Sequence, residues 1–158
     1  MSVSEAIDKL RSSIAADPSK ARAKNAPATA RLVNGLQCEL KGPYGERVLT
    51  DMPPAMGGAA SGPNPGWLMR GAIASCTATV IAMRAAHDGI ELSELEVTVD
   101  TDSDLRGILG IDERISAGHQ AIRMQVKIGS PSASPEAHSP VGCTIKDSPA
   151  CRLEVQVL

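Results

Sequence analysis

The chain of 158 residues is long enough for one domain to bury a core without a metal or disulfide staple. It has no Phe, one Trp and one Tyr, so its core must be aliphatic and it offers little aromatic surface for stacking bases. Sixteen Lys and Arg against 18 Asp and Glu give a net charge of -2. With no block of like charge, binding to nucleic acid or to an anionic membrane is not indicated.

The four cysteines, Cys38, Cys76, Cys143 and Cys151, stand far apart in the sequence. None forms a CxxC pair or a His/Cys spacing that would close a tetrahedral zinc site, so we predict no metal and no cofactor. The first fifteen residues are amphipathic and carry acidic groups, unlike a secretory or transit peptide. We therefore expect a cytoplasmic protein with reduced thiols.

The amino terminus carries a helix start signal. Ser2 and Glu5 match a capping box, and apolar residues at helical spacing follow until Asp17 and Pro18 end the run. We predict a helix of about a dozen residues, followed by an arm that reaches residue 26. Next, residues 29–40 and 46–51 are β-compatible and flank the turn residues 42–45, which predicts a hairpin.

A loop rich in proline and glycine precedes a long apolar helix. Residues 52–65 contain too many breakers for regular structure. Residues 66–87 then contain only two charges, Arg70 and Arg84, which predicts a helix that is buried around most of its circumference. The uncharged part, residues 71–83, is too short to span a bilayer, so a buried central helix is favoured.

Two later segments alternate apolar and polar residues, as half-buried strands do: residues 92–100 and 121–128. Residues 101–118 between them are polar and glycine-rich. Asp100, Asp102 and Asp104 share one strand face, but calcium requires six or more oxygens from a curling loop. A solvated strand end, ion-paired with Arg106, is the favoured interpretation.

The carboxy-terminal part contains a helix start at Ser134 and Pro135. A second Ser-Pro pair at Ser139 and Pro140 predicts that this helix breaks and restarts. Residues 152–158 alternate like a strand. The order of elements predicts an α+β fold with an antiparallel sheet.

Cys76 lies on an apolar stripe of the long helix. At 100° per residue, five residues fall within roughly 40° of it: Met69, Ala72, Val80, Met83 and His87. Most buried cysteines are small packing residues, and a reactive thiolate here would need a neighbouring cation or hydrogen-bond donor. Both interpretations of Cys76 stay open on spacing alone. Cys38 and Cys151 lie in predicted strands and are interpreted as packing residues.

Several motifs occur together in a specific order. They are GG at residues 57–58, GPNP at 62–65, AIASCT at 72–77, DSDLRG at 102–107 and HSPV at 138–141. In this order the sequence resembles the OsmC-like and organic hydroperoxide resistance superfamily. The resemblance covers residues 27–158 as one domain and leaves residues 1–26 as an amino-terminal helix and arm.

The resemblance implies an antiparallel sheet wrapped on a long central helix in an intertwined homodimer. It also implies a thiol peroxidase that reduces organic hydroperoxides, in which Cys76 attacks the peroxide and a second cysteine resolves the sulfenic acid as a disulfide. A thiol reductant then restores the enzyme. Such condensation is chemically reasonable because a sulfenic acid reacts readily with a thiol in reach.

The sequence departs from this pattern at the resolving position. Ser139 stands where the family has its second cysteine, and a serine cannot form a disulfide. Cys143 lies one turn further on the same helical face. It is therefore the candidate resolving residue, although an ordinary helix residue is the alternative.

A second departure concerns thiol activation. Gly66 and Trp67 stand where the family carries glutamate, and by angular count Trp67 lies on the opposite side of the helix from Cys76. The activating arginine has no clear counterpart; Arg22, Arg31 and Arg47 are candidates only.

Three functions are thus compatible with the sequence. The first is a homodimeric Cys76 peroxidase, resolved by Cys143 or by an external thiol. The second is a dimer of the same fold that binds a small hydrophobic ligand without turnover, for which the adaptable thioethers of Met69 and Met83 are also suitable. The third is a dimeric scaffold with a structural cysteine.

Overall fold

A computed structural model describes residues 1–129. The helix predicted from Ser134 and the strand predicted at 152–158 lie outside this part. The chain forms two compact units, Met1–Gly71 and Ala72–Leu158. The described residues form a mixed α+β structure with antiparallel sheets and a long helix, which confirms the predicted fold class.

The first helix, α1, spans Val3–Ala16. Its capping box is complete, since the Ser2 hydroxyl accepts from the Glu5 amide at 3.1 Å and the Glu5 carboxylate accepts from the Ser2 amide at 2.6 Å. These two bonds satisfy backbone donors that a helix start otherwise leaves unpaired. Asp17 ends the helix and a 3-10 turn, Pro18–Ala21, follows. The predicted amino-terminal helix is confirmed.

Three antiparallel strands form the first sheet, in the order β1-β2-β3: β1 is Thr29–Asn34, β2 is Gln37–Lys41 and β3 is Arg47–Thr50. The prediction of one continuous β segment over residues 29–40 was wrong. The chain turns at Asn34 and Gly35, where Gly35 has a φ of 54°. This left-handed conformation suits glycine, and Asn-Gly is a strong hairpin signal.

The loop after β3 is held by Asp51, which is 3% exposed. Its carboxylate accepts the amides of Met52, Ala59 and Ser61 at 2.8, 3.0 and 3.1 Å, and the Ser61 hydroxyl at 2.8 Å. These donors close residues 51–61 into a compact loop that includes the 3-10 turn Pro54–Met56. The sequence correctly predicted the absence of longer regular structure here.

The long helix α2 spans Pro65–His87, as predicted. Asn64 begins it, because its side chain accepts from the Trp67 amide at 2.8 Å, as a capping residue does. Gly89, with a φ of 69°, ends it, and the Ile90 amide bonds back to the Ala85 carbonyl at 2.8 Å. This is the helix end that glycine favours.

The buried face of α2 is narrower than predicted. The buried residues form one stripe with a spacing of four: Ile73, Thr77, Ile81 and Ala85. Met83 is 42% exposed, so the expectation of a helix dry around most of its circumference was wrong for the single chain. By length and composition α2 could also cross a membrane, which is weak evidence because core helices of soluble proteins meet the same criteria.

The second sheet pairs β4, Glu94–Asp102, with β5, Ala121–Gly129, in antiparallel register. Both predicted strands are confirmed. Arg123 pairs with Asp102 at 2.6 Å and also with Asp100, whereas Arg106 pairs only with Asp104 among these acids, at 2.6 Å. The predicted ion pair with Arg106 is therefore correct for Asp104, but not for Asp100 or Asp102. A short helix, α3, at Leu105–Ile108 begins the connection between the strands.

Candidate functional site

Cys76 lies in the middle of α2 with its side chain partly exposed. The buried stripe Ile73, Thr77, Ile81 and Ala85 is centred about 120° away from it around the helix, at 100° per residue. Cys76 therefore does not lie on the buried side of α2. Cys76 as a residue is partly exposed in the single chain.

The surface around Cys76 along its own helix face is apolar. Ala72 is exposed, Val80 is half-buried and Met83 is 42% exposed. Apolar side chains left in water on one helix face are a typical sign of a binding or interface surface. This face can take up either an apolar ligand or a second apolar protein surface.

Thr77, the neighbour of Cys76 on the buried stripe, has a solvent exposure of 0%. Its hydroxyl oxygen is buried and has no hydrogen-bond partner within residues 1–129. A buried hydroxyl without a partner costs free energy. The helix therefore contains a buried hydroxyl, unpaired within the described residues, one residue after Cys76, the candidate nucleophile.

The remaining predicted site residues lie elsewhere or outside the described part. Cys143 and Ser139 fall beyond residue 129, so their placement relative to Cys76 stays a prediction. Arg47 forms an ion pair with Glu39, to which its Nε donates at 3.0 Å. Arg31 is exposed on β1. Arg22 is exposed after the first 3-10 turn.

Cys38 provides an internal comparison for Cys76. It is also a free, partly exposed cysteine, but it lies in β2, paired with Leu32 on β1 and Thr50 on β3. Within residues 1–129 no group of His, Cys, Asp and Glu is arranged to hold a metal ion.

Asp51 is a buried structural residue of the loop before α2 that the sequence interpretation missed. Four hydrogen bonds stabilise its charged form, and the pKa of its carboxyl lies below the ordinary value, chiefly because of the Ser61 hydroxyl and then the Ser61 amide. The signal in the sequence was an acidic residue between a strand and a proline- and glycine-rich loop. Its function is to fix the segment that leads into α2.

The fold and the site define a class of protein: a mixed α+β chain whose long helix presents one half-exposed cysteine on an apolar face. The family model described as OsmC-like protein matches residues 58–153. This match covers more than half of the chain and includes α2 with Cys76. The chain belongs to the OsmC-like protein family.

Solved structures resemble the chain at low sequence identity. An OsmC-like protein from Mycoplasma pneumoniae is 17% identical, covers 80% of this chain and 91% of its own, and has a TM-score of 0.65. An OsmC-like protein of unknown function from Vibrio cholerae is 11% identical, covers 71% and 80%, and has a TM-score of 0.51. At such identities the likeness extends to the fold alone.

A third solved structure is the organic hydroperoxide resistance protein OhrB of Bacillus subtilis. It is 22% identical, covers 70% of this chain and 75% of its own, and has a TM-score of 0.43. No curated protein matches the sequence.

Proposed function

We propose that the protein is a thiol-dependent peroxidase that reduces organic hydroperoxides and uses Cys76 as its nucleophile. The observation that supports this most directly is the partly exposed residue Cys76 on an apolar face of α2, inside the segment that matches the OsmC-like family. An apolar surface beside a thiol suits a hydroperoxide with an organic rather than a polar substituent.

In this reaction the Cys76 thiolate attacks the distal oxygen of the hydroperoxide. The O–O bond breaks, the alkoxide takes up a proton and leaves as an alcohol, and the sulfur is oxidised to a sulfenic acid. The thiolate of Cys143 then attacks the sulfenic sulfur, water leaves, and a disulfide forms. A thiol reductant restores both cysteines, or attacks the sulfenic acid directly if Cys143 does not.

We further propose that the active form is a homodimer in the cytoplasm, where thiol reductants are available. Large apolar side chains are exposed in the single chain, among them Leu32 at 64% and Val33 at 56%. A monomer that left these residues in water would forgo the free energy of burying them. A second copy covering them is consistent with the fold of the family.

A second candidate is a non-catalytic dimer that binds a small hydrophobic ligand. Ser139 at the family's resolving position and the absence of an acid at Gly66 and Trp67 favour it. Both functions use the same apolar face of α2, so only turnover separates them.

The deciding experiment is the consumption of cumene hydroperoxide by the purified protein with a dithiol reductant. We expect turnover by the wild type, loss of turnover to the uncatalysed rate in Cys76→Ala, and unchanged turnover in the control Cys38→Ser. Mass spectrometry should find a disulfide between Cys76 and Cys143 after peroxide treatment without reductant. Binding of cumyl alcohol with no peroxide consumption would reject the peroxidase and support the ligand-binding alternative.

A further inference from the structure

A cleft of about 340 Å³ lies in the amino-terminal unit, between the loop after β3 and the start of α2. Pro53, Ala60, Pro63 and the indole of Trp67 provide its apolar lining, and Asp51 and Asn64 its polar lining. This volume is at the lower end of the range of small-molecule sites, which are mostly apolar with a few polar groups.

The walls of the cleft are held in place. The Asp51 carboxylate bonds to Met52, Ala59 and Ser61, and the Asp51 amide donates to the Pro63 carbonyl at 3.2 Å. The backbone of Gly62 is so close to β3 that a Cβ there would stand 2.3 Å from the Leu49 carbonyl oxygen. A ligand that enters therefore meets a preformed surface and does not have to order it.

Ala60 on the wall has strained backbone geometry. With a φ of 52° it is the one non-glycine residue of positive φ within residues 1–129. This conformation is unfavourable for a side chain with a Cβ. Such strain occurs preferentially at ligand-binding and active sites, where the surrounding structure enforces it.

The acceptor oxygens of the polar side chains in the cleft are already engaged within the protein. Asp51 accepts four donors, and the Asn64 side-chain oxygen accepts the Trp67 amide. The Trp67 indole, in contrast, is 54% exposed in a chain that has no Phe and only one other aromatic residue, Tyr44. The surface offered to a ligand is thus an aromatic face beside two prolines.

We propose that this cleft binds a small aromatic molecule without negative charge, stacked against the indole of Trp67. An anion is disfavoured because the buried carboxylate of Asp51 is close to the cleft and its charged form is stabilised. A cation is not repelled and can lie against the indole face, although the carboxylate oxygens are already occupied by hydrogen bonds. The site does not depend on thiol chemistry, since Trp67 is nine residues before Cys76 on α2.

Trp67 is the only tryptophan, so tryptophan fluorescence of the full-length protein reports on this cleft alone. We expect benzyl alcohol to shift the emission to shorter wavelength with a saturable curve and a Kd in the millimolar range, roughly the strength available to a fragment of this size. Phenylacetate, which keeps the ring and adds a negative charge, should bind at least about tenfold more weakly, whereas benzyltrimethylammonium should bind at least as tightly as benzyl alcohol.

Substitutions test whether the ligand binds at Trp67. Because variants without Trp67 have no tryptophan fluorescence, their ligand binding is measured by saturation-transfer NMR. Trp67→Ala should weaken benzyl alcohol binding about tenfold through the lost ring contact, and Trp67→Phe should keep most of it. Tyr44→Ala removes the other aromatic ring, 89% exposed, and should change nothing. Circular dichroism checks that each variant is folded, and if Trp67→Ala is not, Trp67→Leu, which removes the ring but keeps an apolar side chain, is compared with Tyr44→Ala instead.

Equal affinity in Tyr44→Ala and in the variant that removes the Trp67 ring (Trp67→Ala or Trp67→Leu) would overturn the proposal, as would the absence of a saturable response to benzyl alcohol. The latter is also the outcome if a side chain of a second copy fills the cleft. Binding of phenylacetate as tight as that of benzyl alcohol would overturn the exclusion of anions. Cys76→Ala should bind benzyl alcohol like the wild type, so this test and the peroxidase test fail independently.

Discussion

Thr77 has the most buried side chain of α2, and that side chain carries a hydroxyl. Its exposure is 0% and its oxygen has no hydrogen-bond partner within residues 1–129. Valine has nearly the same shape without the unpaired polar atom. We expect Thr77→Val to raise the free energy of unfolding by about 1 kcal/mol.

Urea denaturation measures this change, and Thr79→Val, at an exposed position of the same helix, should alter stability by less than about 0.5 kcal/mol. A loss of stability in Thr77→Val would mean that the hydroxyl is bonded in solution.

Asp104 links stability to pH at the residue scale. Hydrogen bonds from the Arg106 side chain, then from the Arg106 amide, lower the pKa of its carboxyl from 3.8 to about 2. A group whose pKa is lowered on folding stabilises the protein fully above its unfolded pKa, and this contribution is lost as the pH falls through the folded value. Asp51 contributes in the same direction.

We therefore expect the urea midpoint to decrease between pH 4 and pH 2, the interval between the two pKa values of Asp104. Asp104→Asn should reduce the size of this decrease, because an amide does not titrate. An identical pH dependence in the variant and the wild type would show that the Arg106 contact does not persist in solution.

At the scale of elements, the loop before α2 depends on a glycine that a side chain cannot replace. A Cβ at Gly58 would lie 1.9 Å from the Met52 carbonyl oxygen and 2.8 Å from Asp51 Oδ1, so the backbone or the Asp51 contacts would have to move. We expect Gly58→Ala to cost about 1 to 3 kcal/mol, as overpacking at backbone does.

Gly71 is the matched control for Gly58. It lies within α2, and its nearest contact for a new Cβ is Trp67 at 4.0 Å. Gly71→Ala should therefore stabilise the protein by roughly 0.5 to 1 kcal/mol through helix propensity. Thermal unfolding of the two variants should shift in opposite directions, and shifts of the same sign would contradict the account of the loop.

At the scale of the whole molecule, the exposure of β1 supports the proposed dimer. Its residues Leu32 and Val33 lie at an irregularity of the β1–β2 register, and both are exposed in the single chain. Burial of such side chains on association contributes about 25 cal/mol per Å² of apolar surface. A charge introduced here should oppose assembly.

We expect Leu32→Glu to raise the dimer dissociation constant at least about tenfold, since a charge would be buried without a partner. Light scattering coupled to size exclusion over a range of concentrations measures it. Thr98→Glu, which adds the same charge at an exposed position of β4, is the control. A wild type that stays monomeric at every concentration would reject the dimer.

Local chemistry made several elements predictable from the sequence. The capping box at Ser2 and Glu5, the proline and glycine punctuation of residues 52–65 and the alternation in β4 and β5 each act over a few residues. The turn at Gly35 was also local, and the Asn-Gly signal was available. The motif order around Cys76 was sufficient to indicate the family, which the family model then matched independently.

The sequence by itself determined most of the boundaries of α1, α2, β4 and β5, because capping, breakers and periodicity depend on near neighbours. Only the tertiary structure decided which stripe of α2 is buried, that Arg123 rather than Arg106 neutralises Asp100 and Asp102, and that Asp51 closes its loop. These depend on strand register and on contacts between residues far apart in the chain. Arg123 meets Asp100 across the β4–β5 ladder although 23 positions, 123 minus 100, separate them in the sequence.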